Sequence, residues 1–227
     1  MALSAPSTNP EEFMPARFTL YGHALSGPSY KVGLFFALSR EPFDYVHVSL
    51  RDGEHKQPAY LALQRYGQVP LLVDERNGRK LCQSAAILEY LADVTGQFGG
   101  ADLDERLQAR EWLYWGFDRL APAIFRSRGF RLGFLRQAGP EVVEMYARDG
   151  ASALKVLDGH LAGRSWIVGE GPTIADIDAY GVLAYAHEAG FDLGAFANVQ
   201  AWMKRFEALP GFAGPGSLLP QVSRAAV

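Results

Sequence analysis

One stretch decides the fold, residues 18–50, which read FTLYGHALSGPSYKVGLFFALSREPFDYVHVSL. Residues 18–21 form a short β-like run, which the glycines and the proline of residues 22–28 interrupt. Pro28 suits the first turn of a helix, where its missing N–H is not needed, and apolar residues then recur at helical spacing. Residues 44–50 alternate polar and apolar side chains, which is typical of a half-buried strand. The stretch therefore predicts a β-α-β unit with parallel strands.

The segment that follows adds two strands and a helix. A Val-Pro step at residues 69–70 leads into an apolar run, and Asn77-Gly78 is a strong signal for a hairpin turn. Ser84 is predicted to cap the next helix. Residues 17–96 are thus expected to form a small α/β domain, with the order βαβ-ββα around a mixed sheet.

The rest of the chain carries helical patterns and no strand pattern. A glycine-rich joint at residues 97–103 is the predicted linker, and residues 104–227 are expected to form an all-α bundle. Its helical segments are residues 105–125, 141–161, 173–188 and 198–209. Residues 1–16 contain three prolines and no apolar central stretch, so we interpret them as a flexible N-terminal extension and not as a signal peptide.

Composition disfavours several classes of function. Apolar residues make up 48% of the chain and charged residues 21%, the balance of a packed globular protein. The net charge of −3 and the lack of a long Lys/Arg block disfavour nucleic acid as a partner. Cys82 is the one cysteine, so an internal disulfide framework is ruled out. No apolar run reaches the ~18–20 residues of a membrane span, and we expect a soluble, cytoplasmic protein with no membrane partner.

Two helix starts are candidates for holding an anion. Ser26 lies in the turn before the first predicted helix, and Gln83-Ser84 opens the second. A helix start presents free N–H groups, so it can bind a carboxylate. A hydroxyl that donates to a thiolate lowers the thiol pKa by about one to two units, because a hydrogen bond to a charged group contributes roughly 1.5–3 kcal/mol. Taken alone, however, such residues are more often an ordinary turn serine or helix cap.

Five blocks, in order, resemble one family. They are LYGHALSGPSYKV at residues 20–32, GEHKQP at 53–58 followed by GQVP at 67–70, QSAAILEYL at 83–91, TIAD at 173–176, and VQAWMKR at 199–205 followed by LPGF at 209–212. Together they resemble the cytosolic glutathione S-transferases of the serine type, in a bacterial form similar to the phi, theta and zeta classes. The resemblance implies a thioredoxin-like N-terminal domain followed by an all-helical C-terminal bundle.

The resemblance also implies site residues. Ser26 stands where serine-type members keep the hydroxyl that stabilises the glutathione thiolate, and Tyr21 and Ser29 are the alternatives. The implied glutathione contacts are His55 and Lys56 for the glycine carboxylate, Gln68, Val69 and the cis proline Pro70 for the tripeptide, and Gln83 and Ser84 for the γ-glutamyl end.

Two positions depart from the family pattern. Gln83 replaces the usual Glu, as in the zeta class, so an acid of a partner subunit, Asp102 or Asp104, is a candidate to bind the γ-glutamyl ammonium. Gln64-Arg65 replaces the usual Asn-Pro, so the resemblance leaves the local loop geometry undetermined, whereas the implied site is unaffected.

The second substrate is expected at the long helix that starts near Glu105. The candidates, most of which would also suit core packing, are Tyr114, Trp115, Asp118, Ile124 and Phe125. Residues 119–136 contain five arginines, which indicate either an acidic substrate or a solvated face, and we favour the solvated face. They are Arg119, Arg126, Arg128, Arg131 and Arg136.

The implied activity is conjugation of the glutathione thiolate to a small electrophile, with glutathione as co-substrate and no metal. A glutathione-dependent isomerase of the maleylacetoacetate type and a non-catalytic glutathione-binding module are the alternatives. A thiol–disulfide oxidoreductase is disfavoured because serine, not cysteine, stands at position 26. The family implies a homodimer with Tyr66 as a candidate contact, whereas Thr173 and Asp176 form a predicted capping box that serves folding.

Overall fold

The computed structural model describes residues 16–223, and its N-terminal part contains a four-stranded sheet. The strands are β1 (Phe18–Gly22), β2 (Phe43–His47), β3 (Leu71–Asp74) and β4 (Arg79–Cys82). They lie in the order β2-β1-β3-β4. β1 runs parallel to β2 and antiparallel to β3, and β3 runs antiparallel to β4. The predicted mixed sheet of a thioredoxin-like domain is confirmed.

The two inner strands of this sheet are β1 and β3, because both edges of each are paired. Leu20 lies in register between Tyr45 and Leu72, and all three side chains are fully buried. Apolar side chains at this central position hold the sheet by burial from water, which contributes roughly 1.5–3 kcal/mol for each large residue.

The prediction of a strand over residues 44–50 is too long at its C-terminal end. The Val48 N–H still donates to the Gly22 carbonyl (2.8 Å). Beyond it, the Ser49 N–H donates to the Glu54 carboxylate (2.6 Å), and the Glu54 N–H donates to the Ser49 carbonyl (3.0 Å). These local hydrogen bonds take the place of a strand ladder and turn the chain away from the sheet.

Helices and the loops between them cover the sheet and form the rest of the described chain. In the N-terminal part they are α1 (Gly27–Ser39), α2 (Pro58–Leu61) and α3 (Ser84–Thr95), with one turn of 3-10 helix at Glu54–Lys56. The C-terminal part contains α4 (Leu103–Trp115), α5 (Ala121–Arg131), α6 (Pro140–His160), α7 (Ile174–Leu183), α8 (Ala186–Ala189), α9 (Ala197–Glu207) and α10 (Pro215–Leu218).

Two predicted helices differ from those observed. The helix expected over residues 105–125 continues to the end of α5, and a π-helical segment, Gly116–Leu120, joins α4 to α5. The helix expected over residues 173–188 is divided into α7 and α8. No helix among residues 16–223 combines the length and the apolar character that crossing a bilayer requires.

The sheet part and the helical part share one hydrophobic core, in which α1 packs against α7. Lys31 of α1 forms a buried ion pair with Asp178 of α7, with 2.7 Å between Nζ and Oδ1. Gly181 allows this approach, because a Cβ at that position would collide with the Lys31 side chain. The residues that join the two parts therefore include a charged pair held inside apolar surroundings.

The proposed domain limits remain a prediction. Between α3 and α4 the chain has no helix or strand, in the stretch where the linker of residues 97–103 is expected. Of the predicted extension at residues 1–16, all but Ala16 lies outside the described residues.

Candidate functional site

A cleft of about 680 Å³ opens between the sheet part and the helical part. One wall consists of the turn before α1, the 3-10 turn, the loop before β3 and the start of α3, and the π segment, α5 and the loop after it form the other. The helical wall contributes Phe117, Ala121, Pro122, Phe125, Arg126, Arg128, Gly129, Phe134 and Leu135.

The structure brings together the residues that the sequence predicts for glutathione. The eight that line the cleft are Ser26, His55, Lys56, Gln68, Val69, Pro70, Gln83 and Ser84. They come from four separate segments of the chain, and the Val69–Pro70 peptide bond is cis.

Among the three candidate hydroxyls, only that of Ser26 belongs to a residue that lines the cleft. Ser26 is the N-cap of α1, and its Oγ accepts the Ser29 N–H (3.2 Å). The Ser29 side chain is fully buried, and its Oγ accepts the His23 N–H (3.3 Å). The Tyr21 ring packs edge-on against the ring of Tyr60, with 6.4 Å between centroids. The N-cap role of Ser26 leaves its own hydroxyl proton free to donate, because the oxygen acts as the acceptor.

His55 and Lys56 have different local contacts. The Lys56 ammonium donates to the Gly67 carbonyl (2.7 Å) and so ties the 3-10 turn to the loop before β3. The Nδ1 atom of His55 is buried and has no hydrogen-bond partner among the described residues. Burial, and secondarily the charge of Lys56, lowers the pKa of the His55 imidazole, which favours its neutral form.

Two glutamine side chains meet at the start of α3. The Gln83 amide donates to the Gln68 side-chain carbonyl (3.3 Å), and the Tyr60 hydroxyl fixes the Gln68 backbone carbonyl (2.7 Å). Gln83 has a φ of 71°, a strained conformation for a residue other than glycine. The prediction that Ser84 caps α3 is wrong: Gln83 is the N-cap, and Ser84 is the first helical residue. The Ser84 hydroxyl makes no hydrogen bond with a described residue, so both it and the first N–H groups of α3 are available to an anion.

Of the residues predicted for the second substrate, only Phe125 lines the cleft. Trp115 and Asp118 line a separate cavity of about 240 Å³, and Ile124 is buried in the core. Tyr114 is 62% exposed, and its hydroxyl points to Glu89 (3.4 Å).

The π segment gives the physical reason for these misplacements. A π turn contains one residue more than an α turn, so it rotates everything beyond it by roughly 100° relative to an uninterrupted helix. The helix face that lines the cleft therefore starts at Phe117. A regular helix over residues 105–125 gives no reason to expect Phe117 there. Phe117 and Phe134 are both more than half exposed, and this exposure is visible only in the structure, so the sequence carried no signal that singles them out.

The cleft is basic. Arg126 and Arg128 line it, so the solvated-face interpretation is wrong for Arg128, which is buried. The Arg128 guanidinium donates to Glu188 (2.6 Å) and to the Leu25 carbonyl (2.9 Å), and it stacks over the Tyr185 ring at 4.2 Å. Arg119, Arg131 and Arg136 do not line the cleft.

No aspartate or glutamate is among the described residues that line this cleft. The described part of the chain also brings no three or more of His, Cys, Asp and Glu together as metal ligands. Helix starts, basic side chains and uncharged amides thus surround the cleft, and this arrangement suits an acidic ligand of the size of a small peptide together with an apolar molecule.

Two family models match the chain. The model described as "Glutathione S-transferase, N-terminal domain" matches residues 16–93, and "Glutathione S-transferase, C-terminal domain" matches residues 121–210. These two segments hold every described residue that lines the cleft except Phe117.

Individual proteins resemble the chain over most of its length. Maleylacetoacetate isomerase of Pseudomonas aeruginosa is 33% identical over 85% of this chain and 92% of its own length. Disulfide-bond oxidoreductase YfcG of Escherichia coli is 27% identical over 80% of this chain and 86% of its own. A crystal structure of a glutathione S-transferase from Pseudomonas fluorescens has a TM-score of 0.82 and 31% identity, over 88% of this chain and 99% of that one.

Proposed function

This chain belongs to the cytosolic glutathione S-transferase superfamily, and from that premise we propose that it transfers the glutathione thiolate to a small electrophile, with the Ser26 hydroxyl stabilising the thiolate. One observation carries the proposal: of the three candidate hydroxyls, only that of Ser26 belongs to a residue that lines the cleft, and it has a proton to donate. The reaction forms a carbon–sulfur bond, the leaving group departs with its electron pair, and the thiol proton passes to solvent.

The hydrogen bonds of the turn account for the activation. Because the Ser26 oxygen accepts the Ser29 N–H, its O–H becomes a stronger hydrogen-bond donor to the thiolate in the cleft. A hydrogen bond to a thiolate contributes roughly 1.5–3 kcal/mol, and each pKa unit corresponds to about 1.4 kcal/mol. The thiol pKa of glutathione thus falls by about one to two units, from about 8.5 towards neutrality.

The other cleft residues bind the tripeptide. His55 is proposed to bind the glycine carboxylate, while Lys56 holds the loop through Gly67 and keeps two further N–H donors for the ligand. Gln68 and Gln83 are proposed to face the γ-glutamyl end, whose carboxylate meets the Ser84 hydroxyl and the start of α3. The tripeptide backbone pairs with Val69, beside the cis Pro70.

The electrophile is proposed to bind the helical wall. Phe117, Phe125 and Phe134 supply apolar surface on this wall. Close placement of the two reactants then supplies much of the rate enhancement, because it removes the entropy cost of bringing them together.

The first experiment replaces Ser26 by alanine. We expect kcat/KM for 1-chloro-2,4-dinitrobenzene to fall at least about tenfold, because the bound thiol loses about one pKa unit or more of stabilisation, while glutathione still binds. The ultraviolet thiolate band of bound glutathione should weaken in parallel. Tyr21→Phe is the matched control, and it should leave both readings unchanged. Loss of the thiolate band in Tyr21→Phe, with Ser26→Ala unaffected, would assign activation to Tyr21.

Glutathione-dependent isomerisation is the second candidate function. It is supported by the identity to a maleylacetoacetate isomerase and by glutamine at position 83. Assaying cis–trans isomerisation of a diketo acid beside conjugation would separate the two reactions. A non-catalytic role would instead show glutathione binding in calorimetry with neither turnover.

Disulfide exchange remains the weaker alternative. One relative carries the name disulfide-bond oxidoreductase. The described cleft of this chain, however, contains no thiol, because Cys82 at the end of β4 does not line it.

A cytoplasmic homodimer is the proposed state of the protein. Tyr66 is 46% exposed beneath the Arg65 guanidinium and is available to a partner subunit. Asp102 caps α4 by accepting the Glu105 N–H (2.9 Å). Asp102 or the exposed Asp104 is the proposed acid that binds the γ-glutamyl ammonium of the glutathione held by the partner subunit.

A further inference from the structure

Arg126 is the starting point of a further inference, which rests on the proposed function and specifies its substrate class. We propose that the electrophile has an apolar body and carries a carboxylate, and that Arg126 binds this carboxylate. Arg126 lines the cleft from α5, and its side chain is exposed.

Arg126 differs from the other strong cations that line the cleft, because each of those already has an acceptor. Lys31 is paired with Asp178, Arg128 with Glu188, and the Lys56 ammonium donates to the Gly67 carbonyl. Arg126 makes no hydrogen bond, ion pair or ring contact with any described residue, and α5 contains no acidic residue.

The surroundings of Arg126 add a second observation. With no Asp or Glu among the described lining residues, nothing within the cleft neutralises this guanidinium. The groups proposed to bind the two carboxylates of glutathione, His55 and the start of α3, come from the opposite wall. The positive charge of Arg126 on the helical wall therefore has no partner even when glutathione is bound.

The position along α5 indicates what kind of molecule would reach Arg126. Phe125 precedes it, and the Phe125 ring lies against Gly27, the neighbour of Ser26, because a Cβ on Gly27 would collide with that ring. Pro122 lies four residues before Arg126 and thus on the same side of the helix. An electrophile that reaches from the thiolate to Arg126 therefore crosses an apolar surface before it meets the charge.

A guanidinium is suited to a carboxylate because its planar N–H groups can donate two parallel hydrogen bonds to the two oxygens. Arg126 is exposed, so water screens the interaction. The contribution of the carboxylate to the binding free energy is therefore that of a surface ion pair with good geometry. We expect the carboxylate to improve binding about two- to fivefold over the same ligand without it.

The test compares two ligands that differ by one carboxylate, S-benzylglutathione and S-(4-carboxybenzyl)glutathione. Dissociation constants are measured by calorimetry for the natural protein, for Arg126→Gln and for the matched control Arg148→Gln, an exposed arginine of α6 outside the cleft. We expect the natural protein and Arg148→Gln to prefer the carboxylated ligand about two- to fivefold. Arg126→Gln should lose this preference while its affinity for S-benzylglutathione stays the same.

Turnover provides a second reading with ethacrynic acid and its methyl ester, which share one enone. The glutathione sulfur adds to the terminal methylene carbon, the neighbouring carbon takes up a proton, and no group leaves. The ratio of kcat/KM for acid over ester should fall in Arg126→Gln and be largely restored in Arg126→Lys, which keeps the charge.

Each remaining outcome counts against the proposal in a distinguishable way. If S-benzylglutathione binds but the carboxylate adds nothing, or if Arg126→Gln keeps the preference, the carboxylate site is wrong and the transferase proposal stands. If neither ligand binds the natural protein, the proposed function itself fails and the carboxylate site fails with it.

Discussion

Ser26 and Ser29 lie on one turn, and the hydroxyl oxygen of each accepts a backbone N–H. Burial separates them: Ser29 is fully buried against the turn, whereas Ser26 lines the cleft. At the scale of single residues, burial therefore decides which of the two hydroxyls is open to a ligand. His55 also carries a polar atom that the fold does not use, since its buried Nδ1 atom has no hydrogen-bond partner in the described structure.

The first prediction at this scale concerns the protonation of His55. Its lowered pKa leaves the free imidazole mostly neutral near pH 6.5, and contact with the glycine carboxylate would raise that pKa. Binding should then take up a proton, and affinity should increase as the pH falls through this range. S-methylglutathione is the ligand of choice, because its thioether cannot ionise and mask the effect. Calorimetry in two buffers of different ionisation enthalpy measures the uptake.

The control for this measurement is His55→Gln, which keeps a hydrogen-bonding side chain without a titratable group. Proton uptake should disappear in this variant. Equal uptake in the two proteins would mean that the carboxylate contacts a different group.

At the scale of elements, helix starts determine much of the architecture. α7 begins with a capping box: the Asp176 carboxylate accepts the Thr173 N–H (2.8 Å), and the Thr173 hydroxyl accepts the Ala175 N–H (3.3 Å). The predicted capping box is thus present. The same carboxylate also accepts the Ile167 N–H (3.0 Å) and the Trp202 indole N–H (2.8 Å), which fixes α7 to a loop and to α9.

The second prediction follows from these contacts. Asp176→Asn replaces one acceptor oxygen by an NH2 group that faces the buried donors, so it should lower the free energy of unfolding by about 2–4 kcal/mol. Urea unfolding measures the loss. Thr173→Ser keeps the capping hydroxyl and should cost less than about 1 kcal/mol. If the folded Asp176→Asn protein keeps the natural KM for glutathione, Asp176 serves folding alone. A raised KM with an unchanged free energy of unfolding would instead give Asp176 a role in the site.

At the scale of the whole molecule, charged side chains connect the two parts of the chain. The Lys31–Asp178 pair is almost completely buried between α1 and α7. Arg128 of α5 similarly reaches the Leu25 carbonyl next to Ser26. The helical part thus holds the turn that carries the proposed catalytic hydroxyl.

The third prediction concerns this buried pair. Lys31→Met leaves the Asp178 carboxylate buried without its partner and should destabilise the protein by about 3–5 kcal/mol. The double variant Lys31→Met/Asp178→Leu removes both charges and should recover at least half of that loss, because apolar side chains can replace a buried pair. Urea unfolding monitored by tryptophan fluorescence measures both. A double variant no more stable than Lys31→Met would show that the pair acts through more than its charges.

The N-terminal wall of the cleft was predictable from sequence to a large extent. Prolines, glycines and helix starts act on residues close to them in the chain, so local pattern predicts the turn at Ser26, the strand start at Val69-Pro70 and the helix start at Gln83-Ser84. Only the family resemblance assigned these positions to a glutathione site. The family blocks then identified His55 and Lys56. The errors there were local as well, namely a strand end displaced by the Ser49–Glu54 turn and a cap assigned one residue late.

The helical wall was not predictable, because a helical pattern gives the spacing of residues but not the rotation of the helix about its axis. The additional residue in the π segment turns Phe117 towards the cleft in place of Trp115 and Asp118.

The sequence by itself determined the order of strands and helices and the chemistry of the turns, since both depend on interactions between near neighbours. The tertiary structure alone distinguished Arg126 from Arg128, two identical residues on one helix. Arg128 is neutralised by Glu188 and held by Leu25, which are 60 and 103 residues away in the chain. Arg126 meets no such partner among the described residues and keeps its charge for a ligand, because only folding decides which distant groups approach each side of a helix.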